Sequence, residues 1–329
     1  MFWIYPFDFD MHKAFDNLNH NLMIQKLLRI GTPTGFLMLL KNYLTDRHAC
    51  VQLNRNISEY FLIVSGVPQG TILAPYLFAA FFGDFHCMLQ TTDFVKYADD
   101  LTLILPVSTK LMSEIEKNVN CEIEFVTNWC KSNDLKLNMS KSNVLPCFKK
   151  SFTSPSCHFP IKVVDYIDIL GLRICHDLSW AKHVQKIVKI ANKRFYALRK
   201  LWPFVSSDEL HLLYTSYIRS ILEYACPVFV GLNKTLSNCL NIVDKRAHKI
   251  IYRNNERKCQ CSENELIKRR YTQSKKLFLS IENDEDHILN AIIPKRHSYS
   301  RSISIPFVRT ERSRTSFVPF TSVIINDTY

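Results

Sequence analysis

Tyr97-Ala98-Asp99-Asp100 lies between two apolar, strand-like stretches, Phe94-Val95-Lys96 before it and Leu101-Thr102-Leu103-Ile104-Leu105 after it. Adjacent carboxylates repel each other. A fold that holds such a pair at a tight turn between strands therefore usually neutralises it with a cation, most commonly a divalent metal. With a third carboxylate from elsewhere in the chain, the set could hold two Mg²⁺ ions roughly 3.5–4 Å apart, the arrangement that drives in-line phosphoryl transfer.

The rest of the chain bounds what such a turn could serve. Its 329 residues, 47% hydrophobic and 22% charged, allow two or three packed substructures and exclude a disordered protein. A net charge of +12 points to a polyanionic partner, because Lys and Arg that neutralise phosphates gain from counterion release. The eleven cysteines include no CxxC pair and are odd in number, which argues against a disulfide framework and a zinc finger. They read as reduced thiols of an intracellular protein. Cys259-Gln260-Cys261, with His248 nearby, has a spacing that fits no common zinc pattern. The apolar run Ile72 to Phe82 contains Pro75 and is too short to span a bilayer, so no membrane partner is expected. The first ten residues include Asp8 and Asp10, lack a basic leader and do not read as a signal peptide.

Phe7-Asp8-Phe9-Asp10 alternates apolar and acidic residues with the period of a half-buried strand. After Asp16, read as an N-cap, Leu18 to Ile30 reads as a helix that stops at Gly31-Thr32-Pro33. A second helix, about Phe36 to Leu44, precedes two strand-like runs, Cys50 to Leu53 and Tyr60 to Val64. Gly66-Val67-Pro68-Gln69-Gly70 then interrupts the pattern before an apolar helix from about Leu77 to Met88. Beyond the carboxylate hairpin, Leu111, Ile115, Val119, Ile123, Val126 and Cys130 define one long amphipathic helix. Leu135-Lys136-Leu137 and Asn143-Val144-Leu145 read as a strand pair around Lys141, and Ile161 to Ile174 as strand broken at Gly171.

Past Asp177 the period is helical almost throughout. Val184, Ile187, Val188, Ala191, Phe195 and Leu198 form an apolar stripe, and Lys182, Lys186, Lys189, Lys193 and Lys200 line the other side of the same helix. That lysine face is either solvated or a grip on a nucleic-acid backbone. The next helix opens with the capping box Ser206-x-x-Glu209, and a third runs from about Leu236 to Tyr252. From about Pro294, Lys295, Arg296, Arg301, Arg309, Arg312 and Arg314 among Ser, Thr and Pro read as a loosely ordered basic tail.

Three motifs occur in order: Asp10-Met11-His12-Lys13-Ala14-Phe15-Asp16, Ser65 to Pro75, and Tyr97-Ala98-Asp99-Asp100. Together they closely resemble the reverse transcriptase domain of non-LTR retrotransposons, in particular the jockey-like RNA-directed DNA polymerases. The resemblance continues through Leu137 to Lys141, Ile169-Leu170-Gly171-Leu172 and Leu213 to Ala225, and so covers about residues 7 to 252. It implies an α+β fold in which a polymerase palm of the right-hand reverse transcriptase type, an antiparallel sheet with packed helices, spans residues 1–176. An all-α thumb and C-terminal region would occupy 177–293, and the basic, flexible tail 294–329.

Carried onto matching positions, the family roles make Asp10 and Asp99 the principal metal-binding carboxylates and Asp100 the third acidic member. Two Mg²⁺ ions, with Mn²⁺ able to replace them, would serve addition of dNTPs to a DNA primer on an RNA template. Phe15 matches the bulky residue that excludes a 2′-hydroxyl. Gly66, Pro68, Gln69 and Gly70, with Tyr97, match the nucleotide and template contacts. Lys141 matches the lysine that protonates the leaving pyrophosphate, although Asn143 stands where the family often has an acidic residue. Asp8 shares a strand face with Asp10 and has no metal role in the family. The fingers region that precedes the Asp10 strand in the family is essentially lacking, so the isolated chain is expected to polymerise weakly or not at all. The alternative is a degenerate, non-catalytic retroelement remnant that binds nucleic acid through the Lys182–Lys200 helix and the tail. A maturase-type enzyme is a third reading, disfavoured by Leu213 to Ala225.

Overall fold

A computed structural model describes residues 3–108, 111–147, 159–252, 265–296 and 302–327. The Cys259-Gln260-Cys261 cluster and Arg301 lie outside them. The chain divides into two compact units, Met1–Ile169 with Ile174–Leu178, and Leu170–Arg173 with Ser179–Tyr329.

In the first unit β1 (Trp3–Phe9) leads through α1 (Ala14–Asn17), α2 (His20–Arg29) and α3 (Thr34–Leu44) to four short strands, β2 (Arg47–Ala49), β3 (Gln52–Leu53), β4 (Asn56–Ile57) and β5 (Phe61–Ile63). Then come α4 (Leu73–Phe81), the hairpin β6 (Asp93–Tyr97) and β7 (Asp100–Val107), α5 (Met112–Ser132), β8 (Asn143–Val144) and β9 (Lys162–Val163). The division into units runs through the strands β10 (Tyr166–Ile169) and β11 (Leu172–Cys175) that follow.

The described residues form a five-stranded sheet in the order β6-β7-β1-β8-β9. β1 is its axis, paired with β7 from Trp3↔Val107 to Phe9↔Leu101 and with β8 at Phe7↔Val144 and Asp8↔Asn143. Side chains alternate across a strand. Tyr5, Phe7, Phe9, Leu101, Leu103, Leu105 and Val144 are therefore buried on one face, under α4 and the long α5. The sheet is mixed: β8 and β9 run parallel where antiparallel pairing was expected throughout.

Several local expectations shift, each for a visible reason. Asp16 lies inside α1, and Asn19 caps α2 by accepting from Asn21 N (2.9 Å) and Leu22 N (3.2 Å). Pro75 sits in the first turn of α4, where its missing N–H costs nothing, so that helix begins at Leu73. It ends at Phe81, and Glu122 of α5 holds the chain beyond it by accepting from Met88 N (3.1 Å) and Leu89 N (2.8 Å). The strand-like runs 135–137 and 143–145 do not pair with each other. Leu137 bridges Met11 and Asn143–Val144 joins β1, so both line up beside β1. That wraps the turn from Asn138 to Lys141 around the end of β1, with Asn138 N donating to Asp10 O (2.8 Å).

The second unit holds α6 (Ala181–Leu201), then α7 (Ser207–Leu213), a π-helical stretch Tyr214–Arg219 and α8 (Ser220–Glu223), then α9 (Lys234–Ile251) and α10 (Glu265–Glu282). Val184, Ile187, Ala191, Phe195 and Leu198 of α6 pack with Leu210, Tyr214, Ile218 and Leu222, and with Leu240, Val243, Ala247 and Ile251 of α9. The Ser206–Glu209 capping box forms in full. The π stretch coincides with hydroxyls bonding back onto the helix: Thr215 and Ser216 donate to Leu212 O, and Ser220 to Ser216 O. Within the stretch read as a loose basic tail, α11 (Glu311–Arg314) and α12 (Phe317–Asn326) form, and Ile325 packs with Phe278 and Ile281 of α10.

Glu122 is fully buried, and truncating it leaves the Met88 and Leu89 N–H groups without their acceptor. Glu122→Ala should lower unfolding free energy by about 2–4 kcal/mol, with faster hydrogen exchange at the Met88 and Leu89 amides. Glu122→Gln, which keeps one acceptor, should cost less by urea denaturation.

Candidate active site

The hairpin between β6 and β7 turns through Ala98 and Asp99, with Tyr97↔Asp100 its last pair. Ala98 has φ 53°, in the left-handed region, which its small side chain tolerates at a cost of roughly 1–2 kcal/mol. One residue past Phe9↔Leu101, the β1–β7 register sets Asp10 level with Asp100. Asp8, Asp10, Asp100, Thr102 and Asn143 share the sheet face opposite the aromatic core. Asp10 N donates to Ser142 Oγ (3.4 Å), and Lys141 Nζ lies 3.7 Å from Asp10 Oδ2. Both side chains of that pair are well exposed, so their attraction is weak.

Negative charge on this face is therefore poorly compensated. The Asp100 carboxyl is held above its ordinary range by partial burial, then by Asp99 and Asp10. Asp8 rises to about 6, through burial first and then Asp100, Asp10 and Asp168. Beside it an open groove of about 560 Å³ is lined by Asp8, Asn143, Lys162, Asp165, Tyr166 and Asp168 among others. The sequence reading gave Asp8 no part. Its clue was the shared strand face with Asp10, which makes it part of the same electrostatic field.

Asp10, Asp99 and Asp100 suit a hard divalent cation in donor chemistry and in their unrelieved repulsion. Among the described residues no three His, Cys, Asp or Glu side chains are drawn together as a ready-made metal cage. A cation would have to gather them.

Phe15, Gly66, Pro68, Gln69 and Gly70 form a second cluster, joined to the first by the short link from Asp10 through α1. Phe15 is half-buried and stacks on Phe78 with ring centroids 4.4 Å apart. Val67 N donates to Phe15 O (2.8 Å), Gly66 N to Leu18 O (2.8 Å) and Gln69 Nε2 to Asp16 Oδ1 (2.7 Å). Arg47 Nη2 donates to Gly66 O (2.7 Å), and His20 Nε2 lies 2.8 Å from the same oxygen. Gly66 has φ 79°, and a Cβ there would meet Asp16 O at 2.6 Å and Phe15 O at 2.7 Å. Its glycine is thus demanded by the chain's own packing, whereas a Cβ at Gly70 (φ 82°) meets nothing within 4 Å. An open groove of about 590 Å³ runs along Asp16, Arg47 and Phe61 to Gln69. Tyr97 is 66% exposed at the hairpin.

The five lysines belong to α6 of the second unit. At 100° per residue Lys182, Lys186, Lys189, Lys193 and Lys200 fall within about 60° of arc. Lys186 Nζ donates to Gly171 O (3.2 Å), and Lys200 Nζ lies 5.7 Å over the Tyr196 ring. Among the described residues no helix is long and apolar enough to cross a membrane.

The profile of one protein family, "Reverse transcriptase (RNA-dependent DNA polymerase)", matches residues 5–174, and the chain belongs to that family. Its relatives there include RNA-directed DNA polymerases of non-LTR retrotransposons. It is 27% identical over 259 residues to the probable RNA-directed DNA polymerase from transposon BS of Drosophila melanogaster, covering 74% of this chain and 28% of that one. With the RNA-directed DNA polymerase from mobile element jockey of the same fly it shares 22% over 255 residues, 72% of this chain and 27% of the relative. The chain thus spans little more than a quarter of the length of these relatives. Among solved structures, apo telomerase from Candida tropicalis overlays 85% of this chain and 46% of its own, with TM-score 0.42 and 14% identity. Telomerase from Candida albicans in complex with the TWJ fragment of telomeric RNA overlays 82% and 51%, with TM-score 0.40 and 14% identity.

A carboxyl whose folded value is raised favours folding most when it is protonated. The contribution of Asp8 to stability should therefore fall as pH rises from its ordinary 3.8 through about 6. In metal-free buffer, Asp8→Asn should flatten the decline in thermal midpoint over that range and raise the midpoint at pH 7. Gly66→Ala should cost about 2 kcal/mol or more in urea denaturation, and Gly70→Ala less.

Proposed function

We propose that this chain carries the nucleotidyl-transfer part of a non-LTR retrotransposon reverse transcriptase, adding dNTPs to the 3′-hydroxyl of a DNA primer on an RNA template. The observation that supports it most is the β1–β7 register, in which Asp10 and the Asp99-Asp100 turn end up at the same end of two paired strands. Asp10, Asp99 and Asp100 would hold Mg²⁺. When bound, that cation supplies charge neutralisation and Lewis-acid activation for in-line displacement.

The chain's own groups supply the rest. Lys141, close to Asp10 and open to solvent, would give a proton to the departing pyrophosphate; its nearness to Asp10 supports that role. Phe15, held by its stack on Phe78, would present a rigid ring to the sugar and disfavour a 2′-hydroxyl. Pro68, Gln69 and Gly70 would flank the nascent base pair, with Gln69 held ready by Asp16 and Tyr97 at the hairpin. The α6 lysines would hold the nucleic-acid backbone.

Primer extension with RNA template, dNTPs and Mg²⁺ tests this, on the chain alone and joined to the preceding region of the transposon BS relative. Asp10→Asn and Asp99→Asn should each lower extension by on the order of 10²-fold or more. Phe15→Ala should admit ribonucleotides. No extension from either form would sink the proposal.

One observation favours a second reading, a non-catalytic nucleic-acid binder: α6 presents its five lysines and contains no acidic residue. It predicts salt-sensitive RNA binding that Asp99→Asn leaves unchanged, with no extension under any condition.

A further inference from the structure

Arg47 opens β2 and pairs with Ile63 of β5, so the hairpin register sets it at the end from which the chain leaves β5 for the Gly66 loop. Its guanidinium donates from Nε to Leu44 O (3.2 Å), and from Nη2 to Gly66 O (2.7 Å) and, at greater length, to Ser65 O (3.5 Å). Leu44 is the last residue of α3, where carbonyls have no partner within the helix. One planar cation thus ties a helix end to the loop. A fork of fixed donors suits that bridge, and the compact ammonium of a lysine does not. Among the described residues every hydrogen bond from the Arg47 side chain goes to a backbone carbonyl.

The peptide between Gly66 and Val67 is gripped at both of its polar atoms. Its oxygen takes Arg47 Nη2 and His20 Nε2 (2.8 Å), which uses both lone pairs of the carbonyl and holds His20 with a proton on Nε2. Its N–H, that of Val67, donates to Phe15 O (2.8 Å). Ser65 Oγ adds a bond to Asp16 O (2.9 Å), and Gln69 Nε2 one to Asp16 Oδ1 (2.7 Å). Only Pro68, its φ fixed by the ring, separates that peptide from Gln69. The orientation of one peptide plane therefore bears on Phe15 at one side and on Gln69 at the other. Glycine by itself would leave that plane free to turn, because a residue without Cβ has the widest choice of conformations.

We propose that Arg47 is a positioning residue of the nucleotide site: without touching substrate, it holds the Gly66 carbonyl and so sets where Phe15 meets the sugar and Gln69 the nascent base pair. This rests on the nucleotidyl-transfer reading above. It places part of the discrimination between deoxy- and ribonucleotides on a side chain outside all three sequence motifs.

The test compares Arg47→Ala and Arg47→Lys with the unsubstituted protein, using the whole chain for hydrogen exchange and the form joined to the preceding region of the transposon BS relative for primer extension. The Val67 amide should exchange about tenfold faster in Arg47→Ala. In Arg47→Lys, which keeps one donor for Gly66 O, its rate should be intermediate, and the Val126 amide in α5 should not change in either. The preference for dNTPs over rNTPs in primer extension should fall about tenfold in Arg47→Ala and recover in part in Arg47→Lys, with Mn²⁺ binding unchanged. Unchanged Val67 exchange, or an unchanged preference, would overturn the proposal. So would a proportional fall with both kinds of nucleotide together with weaker Mn²⁺ binding, which marks a general loss of structure. Absence of extension from every form, the unsubstituted one included, would sink the polymerase reading instead, and Val67 exchange would still decide whether Arg47 holds the loop.

Discussion

The antiparallel register of β1 against β7 is the constraint on which the first unit turns. Burying Phe7, Phe9, Leu101, Leu103 and Leu105 gives roughly 1.5–3 kcal/mol per side chain. Because strand side chains alternate, this burial dictates that Asp8, Asp10, Asp100 and Thr102 face the other way. A slip of one residue would send the carboxylates into the aromatic core, so the register is strongly held. Carboxylate repulsion is thus imposed by hydrophobic burial, and it leaves the polar face with an electrostatic demand that a cation would meet.

The same strand organises what surrounds the carboxylates. Its second edge takes up Asn143–Val144, and Leu137 bridges just beyond its end, which leaves Lys141 beside Asp10. Past that end the chain enters α1, whose Phe15 and Asp16 receive the Gly66 loop at a distance only glycine permits. Gln69 and Phe15 are therefore positioned by contacts within the protein itself. Substitutions in this loop would disturb folding together with the nucleotide contacts proposed for it, and stability must be measured beside any loss of activity.

The carboxylate hairpin, the long α5 and the apolar stripes of α6 and α9 were legible in the sequence because each rests on a local rule: alternation for strands, a 3.6-residue period for helices. The family motifs were legible for the same reason, as contiguous residues in order. What escaped is non-local. No local pattern shows that 135–137 and 143–145 line up beside β1 instead of each other, that Glu122 holds Met88 and Leu89, or that Gly66 answers to Asp16. The burial of Ile325 against Phe278 escaped likewise, because the basic residues before α12 hid a short apolar helix. Asp8 shows the limit at the site. Its identity was plain, but its electrostatic coupling to Asp100 and Asp168 depends on three strands meeting.

The central proposal is that a divalent cation gathers Asp10 and the Asp99-Asp100 turn, which one register brings to the same end of two paired strands, into a single centre. Mn²⁺ binding followed by electron paramagnetic resonance tests it most directly, on the chain and its Asp10→Asn, Asp99→Asn and double variants. One shared centre requires that either single substitution weaken the same bound Mn²⁺ and that the double variant lose little more. Independent, additive losses, or Mn²⁺ binding untouched by both substitutions, would contradict the account.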